Sequence, residues 1–309
     1  MHAVSYLSPK TRTARLGFMH DGRINGSPRE GSLQAAIEAA ASLHELGLAA
    51  IERPLEIVSV EEVDLLPSIA RPPSFRDFIS FEQHIVRSLG GRPVPGVWHE
   101  QPVFYFSNPA NFIGPRDDVQ RFPGCEWFDF ELEIAAVIGR DLSDASPAES
   151  EAAIVGYALL CDWSARDHQQ REAALGLGPV KAKDGATTLG AILVTPDELE
   201  PRRTERGYDL ELSIAVNGKR FGGGNWSDIH WSFPEMISFA SRGTRVLAGD
   251  VFGSGTVPSG CIVETLPLDP HPWLSPGDLV EIDAGPMGTM RSTVREGTQP
   301  KRTAVRFGC

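Results

Sequence analysis

The sequence predicts a β-rich fold of the α+β class. Its 309 residues include 31 glycines and 24 prolines, scattered without a repeat of fixed period. This composition is typical of many turns between short elements. Alternating strand patterns dominate the chain after residue 74, for example Glu211–Val216 before the hairpin signal Asn217-Gly218. With 41% hydrophobic and 23% charged residues, the chain has the composition of a folded globular protein.

The N-terminal elements are predicted from local patterns. Ala14–Met19 and Ile51–Val60 have strand character, and the turn His20-Asp-Gly-Arg23 carries a hairpin signal. Between the strands, apolar residues recur at helical spacing over Ser32–Leu46, with Ser32 as N-cap and Gly47 as the residue that ends the helix.

A domain boundary is predicted at the proline-rich passage Leu66–Pro73. Residues 1–69 would then form a small N-terminal domain, and residues 70–309 a larger β-rich domain. In the larger part, capping boxes at Ser146–Glu149 and Ser232–Glu235 predict helix starts, and Pro276–Asp283 predicts a strand after a turn.

Charge and motif content exclude several classes of function. The net charge of −12 argues against a general nucleic-acid binder and against an anionic membrane surface as partner. No apolar stretch reaches the roughly 18–20 residues of a membrane span. The four cysteines form no C-x-x-C pair, and no signal peptide is recognised, so a cytoplasmic location is expected. They are Cys125, Cys161, Cys261 and Cys309.

Motifs for nucleotide binding, for zinc peptidases and for the nucleophile of α/β-hydrolases are also missing. Gly253-Ser-Gly255 lacks the third glycine of a dinucleotide fingerprint, and no Walker A, H-E-x-x-H or G-x-S-x-G sequence occurs. Gly222–Gly224 is interpreted as a flexible turn. Four aromatic residues are candidates for a dimer face, for the core or for a lid: Phe221, Trp226, Trp231 and Phe233.

The segment 127–139 carries the strongest chemical signal. On a strand, Phe128 and the alternate apolar residues to Ile138 share one face, while Asp129, Glu131 and Glu133 share the other. The second face continues into apolar residues, so these carboxylates lie at the edge of a buried surface. Such like charges require a raised pKa or a cation, although a solvated acidic face is the alternative.

Two further segments carry candidate site residues. The apolar run Ile154–Cys161 ends in Asp162, which is either a ligand or the N-cap of a helix over 163–174. Asp77 and His84 are seven residues apart, which would place them on one face of a helix. A lone histidine in such a position is more often structural than catalytic.

With these segments in view, the chain resembles the fumarylacetoacetate hydrolase family over about residues 60–290. Five blocks occur in the family's order: Asp77–His84; Glu131-Leu-Glu133; Gly156-Tyr157 with Asp162–Gln169; Gly178-Pro179 with Lys183 and Thr187-Thr188; and Gly249-Asp250 with Ser254–Thr256 and Ser259–Glu264. The resemblance implies a small N-terminal domain followed by a mixed β-sandwich roll of the fumarylacetoacetase C-terminal type, usually as a homodimer.

The resemblance also implies residue roles. Four carboxylates would hold one divalent cation, Mg²⁺ with Mn²⁺ or Ca²⁺ as alternatives: Asp77, Glu131, Glu133 and Asp162. His84 corresponds to the catalytic base and Glu264 to its orienting carboxylate. Arg166 and Lys183 would be catalytic and hold substrate oxygens, joined by Gln169, Thr256 and, more loosely, Tyr105.

The implied activity is metal-dependent hydrolysis of a C–C bond in an acylpyruvate or β-diketo acid, a small anionic dicarbonyl substrate of the kind met in aromatic catabolism. The alternative is a 2-oxo acid decarboxylase or enol–keto isomerase of the same family. Ile79 stands where fumarylacetoacetase carries a tyrosine near its substrate, which weakens fumarylacetoacetate itself as the substrate. A hypothesis from a different class of function is a metal-binding protein that catalyses no reaction.

Overall fold

A large mixed β-sheet dominates the molecule, which we describe over residues 1–265 and 273–298 from a computed structural model. The strands of these residues are β1 (His2–Leu7), β2 (Ala14–His20), β3 (Arg23–Gly26), β4 (Ile57–Val58), β5 (Asp64–Leu65), β6 (Phe75–Phe78), β7 (Phe104–Ser107), β8 (Phe112–Ile113), β9 (Val119–Gln120), β10 (Phe128–Asp129), β11 (Leu132–Ile138), β12 (Ile154–Asp162), β13 (Ser164–Ala165), β14 (Thr187–Leu189), β15 (Ile192–Val194), β16 (Glu211–Val216), β17 (Lys219–Asn225), β18 (Val251–Gly253), β19 (Leu279–Asp283) and β20 (Thr289–Arg295).

The helices of the described residues are short and fewer than the strands. They are α1 (Leu33–Glu38), α2 (Leu43–Glu52), α3 (Glu82–Ser88), α4 (Pro147–Glu151), α5 (Arg166–Ala173), α6 (Pro196–Leu199) and α7 (Phe233–Ala240). Two of the 3-10 helices, Lys181–Lys183 and Val263–Thr265, carry residues of the site described below.

The large sheet and a smaller sheet enclose the main core. The large sheet has the order β4-β3-β2-β1-β15-β12-β11-β18-β6-β7, with β5, β8 and β14 attached at its sides. The smaller sheet has the order β17-β16-β19-β20-β9. Apolar residues of both sheets and of α7 form one buried cluster, so the sheets pack as a sandwich. The predicted β-rich α+β class is therefore confirmed.

Strand β11 shows why the sequence folds this way. The predicted apolar face is confirmed, because it lies entirely in the core between the two sheets: Phe128, Phe130, Leu132, Ile134, Ala136 and Ile138. Ala135 and Val137 lie on the opposite face, in a second buried cluster with apolar residues of α1 and α2. Because both faces are covered, any carboxylate at the start of β11 is withdrawn from water.

Three local predictions are confirmed. The turn between β2 and β3 has positive φ at Asp21 (48°) and Gly22 (74°), as a two-residue hairpin turn requires. Ser146 and Ser232 both form the predicted capping boxes, at the starts of α4 and α7. The strand predicted within 276–283 is β19.

The single helix predicted over Ser32–Leu46 is wrong, because the chain forms α1 and α2 instead. Ala40 has a positive φ of 50°, which breaks the helix, and the Ser42 side chain caps α2 by accepting from the Glu45 N–H at 3.2 Å. Gly47 lies inside α2. A Cβ there would be 2.9 Å from the sulfur of Met1, so close packing rather than helix termination explains this glycine.

Two other expectations change with the structure, and for a third the structure favours one of the stated alternatives, the core. The strand predicted over Ile51–Val60 is reduced to β4, because α2 continues to Glu52. Gly222–Gly224 lies within strand β17 and not in a turn. Of the four aromatic residues considered for a dimer face, Trp226 and Phe233 are buried in the core, with Phe221 and Trp231 packed against it.

The N-terminal strands continue the large sheet. Strand β1 pairs with β2 on one side and with β15 on the other, and the cluster around α1 and α2 includes residues of β11 and β12. The division at residue 69 stays a prediction. Within the described residues, no helix is long and apolar enough to cross a membrane.

Candidate active site

Neighbouring strands of the large sheet bring the acidic residues together. Asp162 ends β12, Glu133 lies opposite Leu160 in the neighbouring strand β11, and Asp77 lies in β6 on the far side of β18. The residue of β18 between them is Gly253, whose Cβ would lie 2.3 Å from Asp77 Oδ1 and 3.1 Å from Glu133 Oε2. Two carboxylates from non-adjacent strands can therefore meet across a residue without a side chain.

Lysine and tyrosine side chains link the acidic cluster. Lys183 Nζ, from its 3-10 helix, donates to Asp162 Oδ2 at 2.7 Å and contacts Glu131 Oε2. The Tyr105 hydroxyl lies 2.8 Å from Asp77 Oδ2 and 2.6 Å from Asp162 Oδ2. All four carboxylates are buried, and Lys183 together with Arg166, which pairs with Glu131, offsets only part of their charge.

Burial and mutual repulsion shift the titration of the cluster. Burial and the neighbouring Asp162 raise the pKa of Asp77 to about 7. Burial, with Asp77 and Glu131 nearby, raises the pKa of Glu133 well above its usual value. Glu131 behaves oppositely: burial opposes its ionisation, but Arg166 and Lys183 hold its pKa below the usual range. The cluster is short of positive charge.

A divalent cation fits this donor set. Asp77, Glu131 and Asp162 each offer an oxygen within 4.8 Å of the others, and Glu133 adjoins them through its contact with Asp77. Three buried oxygens have no hydrogen-bond partner among the described residues: Asp77 Oδ1, Glu133 Oε1 and Asp162 Oδ1. Unpartnered buried carboxylate oxygens are costly, and oxygen ligands are what hard divalent cations prefer. The residues predicted as ligands are thus brought together.

His84 and Glu264 form a buried pair. His84 lies in α3 and Glu264 in the 3-10 helix Val263–Thr265, and Nδ1 is 2.7 Å from Glu264 Oε1. The second oxygen of Glu264 accepts from the Ser259 N–H at 2.7 Å and from Arg87 at 3.4 Å. These contacts fix the carboxylate, which in turn orients the imidazole.

Arg166 is held by three oxygens at the start of α5. Its guanidinium donates to Asp129 Oδ2 at 2.8 Å, to Glu131 Oε1 at 2.7 Å and to Gln169 Oε1 at 3.0 Å. Asp129 also accepts from the Ile262 N–H at 2.8 Å, which ties the arginine to the segment before Glu264. Arg166 is therefore a positioned cation and not a mobile surface side chain.

A cavity of about 570 Å³ joins these groups. Nine of the predicted site residues line it: Asp77, His84, Tyr105, Glu131, Glu133, Arg166, Gln169, Lys183 and Thr256. Asp162 and Glu264 lie behind this lining, in contact with Lys183 and His84 respectively. Ile79, Trp127 and Trp273 add apolar surface.

Two local predictions about the site are corrected. Asp77 and His84 do not share a helix, because Asp77 lies in a strand paired with β18 and α3 begins only at Glu82. Asp162 does not cap a helix either, since α5 begins at Arg166 and is preceded by Ala165. Asp77 and Asp162 nevertheless join the acidic cluster, and His84 lines the cavity.

Two site neighbours escaped the sequence reasoning. Asp129 belongs to the predicted acidic face of the strand, and the structure shows that it holds Arg166. Cys261 Sγ lies 3.8 Å from His84 Nδ1 and 3.6 Å from Glu264 Oε1. The spacing of Cys261 and Glu264, three residues apart within the last block, was the available signal for this proximity.

Known proteins resemble this chain in sequence and fold. It is 29% identical over 240 residues to an oxaloacetate tautomerase of Bacillus subtilis, covering 76% of this chain and 74% of that protein. It is also 29% identical over 220 residues to a 2,4-didehydro-3-deoxy-L-rhamnonate hydrolase of a Sphingomonas species, covering 71% of each.

A solved structure supports the same fold. The maleylpyruvate hydrolase of a Sphingobium species, determined with manganese(II) and pyruvate, matches with a TM-score of 0.72 at 19% identity, covering 96% of this chain and 100% of that one. The family model for the C-terminal part of fumarylacetoacetate (FAA) hydrolase matches residues 74–295, which span every predicted site residue. The chain therefore belongs to the fumarylacetoacetate hydrolase family.

Proposed function

We propose that this chain is a divalent-metal-dependent hydrolase that cleaves a C–C bond in an acylpyruvate or related β-diketo acid. The observation that carries the proposal is the His84–Glu264 pair at 2.7 Å, in the wall of the cavity that also holds the acidic cluster. Hydrolysis needs a base to activate water, and an imidazole oriented by a buried carboxylate is such a base.

The acidic cluster would hold the cation, which we propose is Mg²⁺, through Asp77, Glu131, Glu133 and Asp162. When bound there, it supplies Lewis-acid polarisation of two neighbouring substrate oxygens. The maleylpyruvate hydrolase of similar fold was solved with manganese(II) and pyruvate, which supports a divalent ion and a 2-oxo acid at this site.

The side chains that line the cavity have separate roles in the proposed reaction. With His84 Nδ1 donating to Glu264, Nε2 carries the lone pair that accepts a proton from water, which then attacks the distal carbonyl. Lys183 and Arg166 face the same cavity and balance the negative charge that develops on the substrate oxygens. Gln169 and Thr256 line the cavity beside them and would bind the substrate carboxylate. Tyr105 would position Asp77 and Asp162 through the contacts of its hydroxyl with both carboxylates.

An enol–keto isomerase is the second candidate, and the relatives favour it as much as the hydrolase. The Bacillus protein is an oxaloacetate tautomerase, and it is as similar to this chain as the Sphingomonas hydrolase is. Tautomerisation moves a proton and needs no attacking water. A 2-oxo acid decarboxylase would use the same cavity but release CO₂.

Products separate these reactions. Acylpyruvates and oxaloacetate would be incubated with the enzyme and Mg²⁺ or Mn²⁺, the enol absorbance followed, and the products identified by NMR. Hydrolysis consumes one water and gives pyruvate and a carboxylic acid. Tautomerisation changes the absorbance without fragments, and decarboxylation releases CO₂. An absorbance change without fragments from every acylpyruvate would reject the hydrolase.

The variant His84→Ala tests the role of the base. We expect hydrolysis to fall by about 10²- to 10⁴-fold, the usual contribution of a general base, while Mn²⁺ binding measured by calorimetry is retained. His99→Ala is the matched control, because His99 is half-exposed and lies outside the cavity lining. Full hydrolysis by the His84 variant would remove this mechanism.

We also propose a homodimer and a cytoplasmic location. Both come from the resemblance and the sequence pattern. Light scattering coupled to gel filtration measures the first, and cell fractionation measures the second. A monomeric mass over the micromolar range would overturn the dimer.

A further inference from the structure

We propose that His84, Cys261 and Glu264 form a second, inhibitory site for a thiophilic divalent cation such as Zn²⁺, separate from the acidic cluster. The three residues offer a nitrogen, a sulfur and an oxygen whose atoms lie within 4.8 Å of one another, and all three residues are buried. Three ligands of this kind are typical of zinc sites that keep one position open.

The distances match such a site closely. Tetrahedral ligands at usual Zn–S and Zn–N bond lengths lie about 3.6 Å apart. Cys261 Sγ is 3.6 Å from Glu264 Oε1 and 3.8 Å from His84 Nδ1. Only the Nδ1–Oε1 pair, at 2.7 Å, must open, to about 3.3 Å for two ligands of this size.

The surroundings of the three ligands favour a bound ion. Glu264 Oε2 already accepts hydrogen bonds from the Ser259 N–H and from Arg87, which fix the carboxylate. Its other oxygen, Oε1, is then directed at His84 and Cys261. A thiolate and a carboxylate together neutralise a 2+ ion, with the thiol proton passing to water on binding. The soft sulfur ligand selects Zn²⁺ or Cd²⁺ over Mg²⁺.

Binding at this site would remove the base. Metal ligation through Nδ1 requires the imidazole proton to move, by exchange with water, from Nδ1 to Nε2, so that Nε2 can no longer accept a proton. The ion would also occupy Glu264 Oε1, so the carboxylate could no longer orient the imidazole. The inhibitory effect rests on the proposed function, whereas binding of the ion does not. The two claims can fail independently.

Cadmium provides a readout that needs no activity. Cd²⁺ added to the Mg²⁺-loaded protein should produce the ultraviolet charge-transfer band of a Cd–thiolate bond, with one equivalent per chain. The band should be lost in Cys261→Ser and in His84→Ala, and kept in Cys125→Ser, Cys161→Ser and Cys309→Ser. Cys309 lies outside the described residues. No band, or a band unchanged in Cys261→Ser, would overturn the site.

Inhibition is the second measurement. With Mg²⁺ in excess, Zn²⁺ should inhibit turnover, and the concentration for half-inhibition should rise at least tenfold in Cys261→Ser, each variant being compared with its own uninhibited rate. Equal inhibition of both proteins would place the inhibitory ion elsewhere and overturn the inhibitory role. A Cd–thiolate band in a protein without hydrolase activity would keep the site and reject only the proposed reaction.

Discussion

At the scale of single residues, the partner of each carboxylate decides its charge. Glu131 and Glu133 are two positions apart and both buried, yet Arg166 and Lys183 lower the pKa of the first while burial and Asp77 raise that of the second. The sequence shows two equivalent acids. Their difference arises from cations that lie 35 and 52 residues away along the chain.

Gly253 permits the acidic cluster, and Gly253→Ala should weaken it. The new Cβ would lie 2.3 Å from Asp77 Oδ1, so the two carboxylates flanking β18 must separate. We expect Mn²⁺ affinity to fall about 10- to 100-fold, as when groups that orient metal ligands are lost. Calorimetric titration measures it. Gly96→Ala, where a Cβ meets nothing within 4 Å, is the control. Unchanged affinity would contradict the role given to Gly253.

Asp129 is expected to stabilise the fold through Arg166. In Asp129→Asn, the buried guanidinium loses one of its two carboxylate partners, and breaking a buried pair costs about 3 kcal/mol. Urea unfolding measures the loss. Asp118→Asn is the matched control, because its 2.7 Å pair with Arg295 is exposed and should contribute less than about 1 kcal/mol. Equal losses in the two variants would show that burial of the pair does not matter.

At the scale of elements, β17 packs against the residues just before Glu264, including Ser259, and this contact helps to position the proposed base, His84. Gly222 of β17 lies directly against these residues, because a Cβ at this position would be 2.2 Å from the Ser259 carbonyl oxygen. Ser259 in turn donates its N–H to Glu264 Oε2. The glycines of β17 thus let a loop lie close against the strand and hold the carboxylate.

Gly222→Ala should therefore impair turnover more than metal binding. Displacing Ser259 moves Glu264 and, through it, His84, and misplacement of about 1 Å can cost on the order of 10²-fold in rate. We expect kcat to fall at least tenfold while Mn²⁺ affinity stays within about twofold. Arg220→Ala, on an exposed position of the same strand, should change neither. Parallel losses of kcat and metal affinity would mean that the whole site had been disturbed.

Periodicity predicted some elements and could not predict others. The two faces of β11 follow from alternation, because side-chain direction in a strand is a local property. Apolar periodicity does not reveal the break at Ala40, although Ser42-Leu-His-Glu45 is itself a helix-start signal. The strand at Asp77 could not be found locally, since its partners β7 and β18 lie about 30 and 175 residues further along the chain.

The same limit applies to the site. The family resemblance supplied the residues, and their burial followed from the apolar continuation of β11. The contact of Asp129 with Arg166 and that of Cys261 with His84 are not predictable from local pattern, because they span 37 and 177 residues respectively. Such contacts depend on strand order, which alternation does not encode.

At the scale of the whole molecule, the large sheet joins the N-terminal residues to the site. β1 lies between β2 and β15, and β15 borders β12, which ends in Asp162. Ala3, Leu16 and Phe18 share a buried cluster with Ala135 and Val137 of β11. The strands that carry the acidic cluster are therefore covered on one face by the first 69 residues.

This coverage predicts how the chain unfolds. We expect one calorimetric transition for the full chain and no cooperative transition for the fragment 70–309, because β15 would lose β1, one of its two neighbouring strands, and one face of β11 and β12 would be exposed. Mixing the fragment with residues 1–69 should restore near-ultraviolet circular dichroism and Mn²⁺ binding, if the pieces recombine as one sheet. A fragment 70–309 that unfolds cooperatively and binds Mn²⁺ by itself would instead establish two independent domains with their boundary near residue 69.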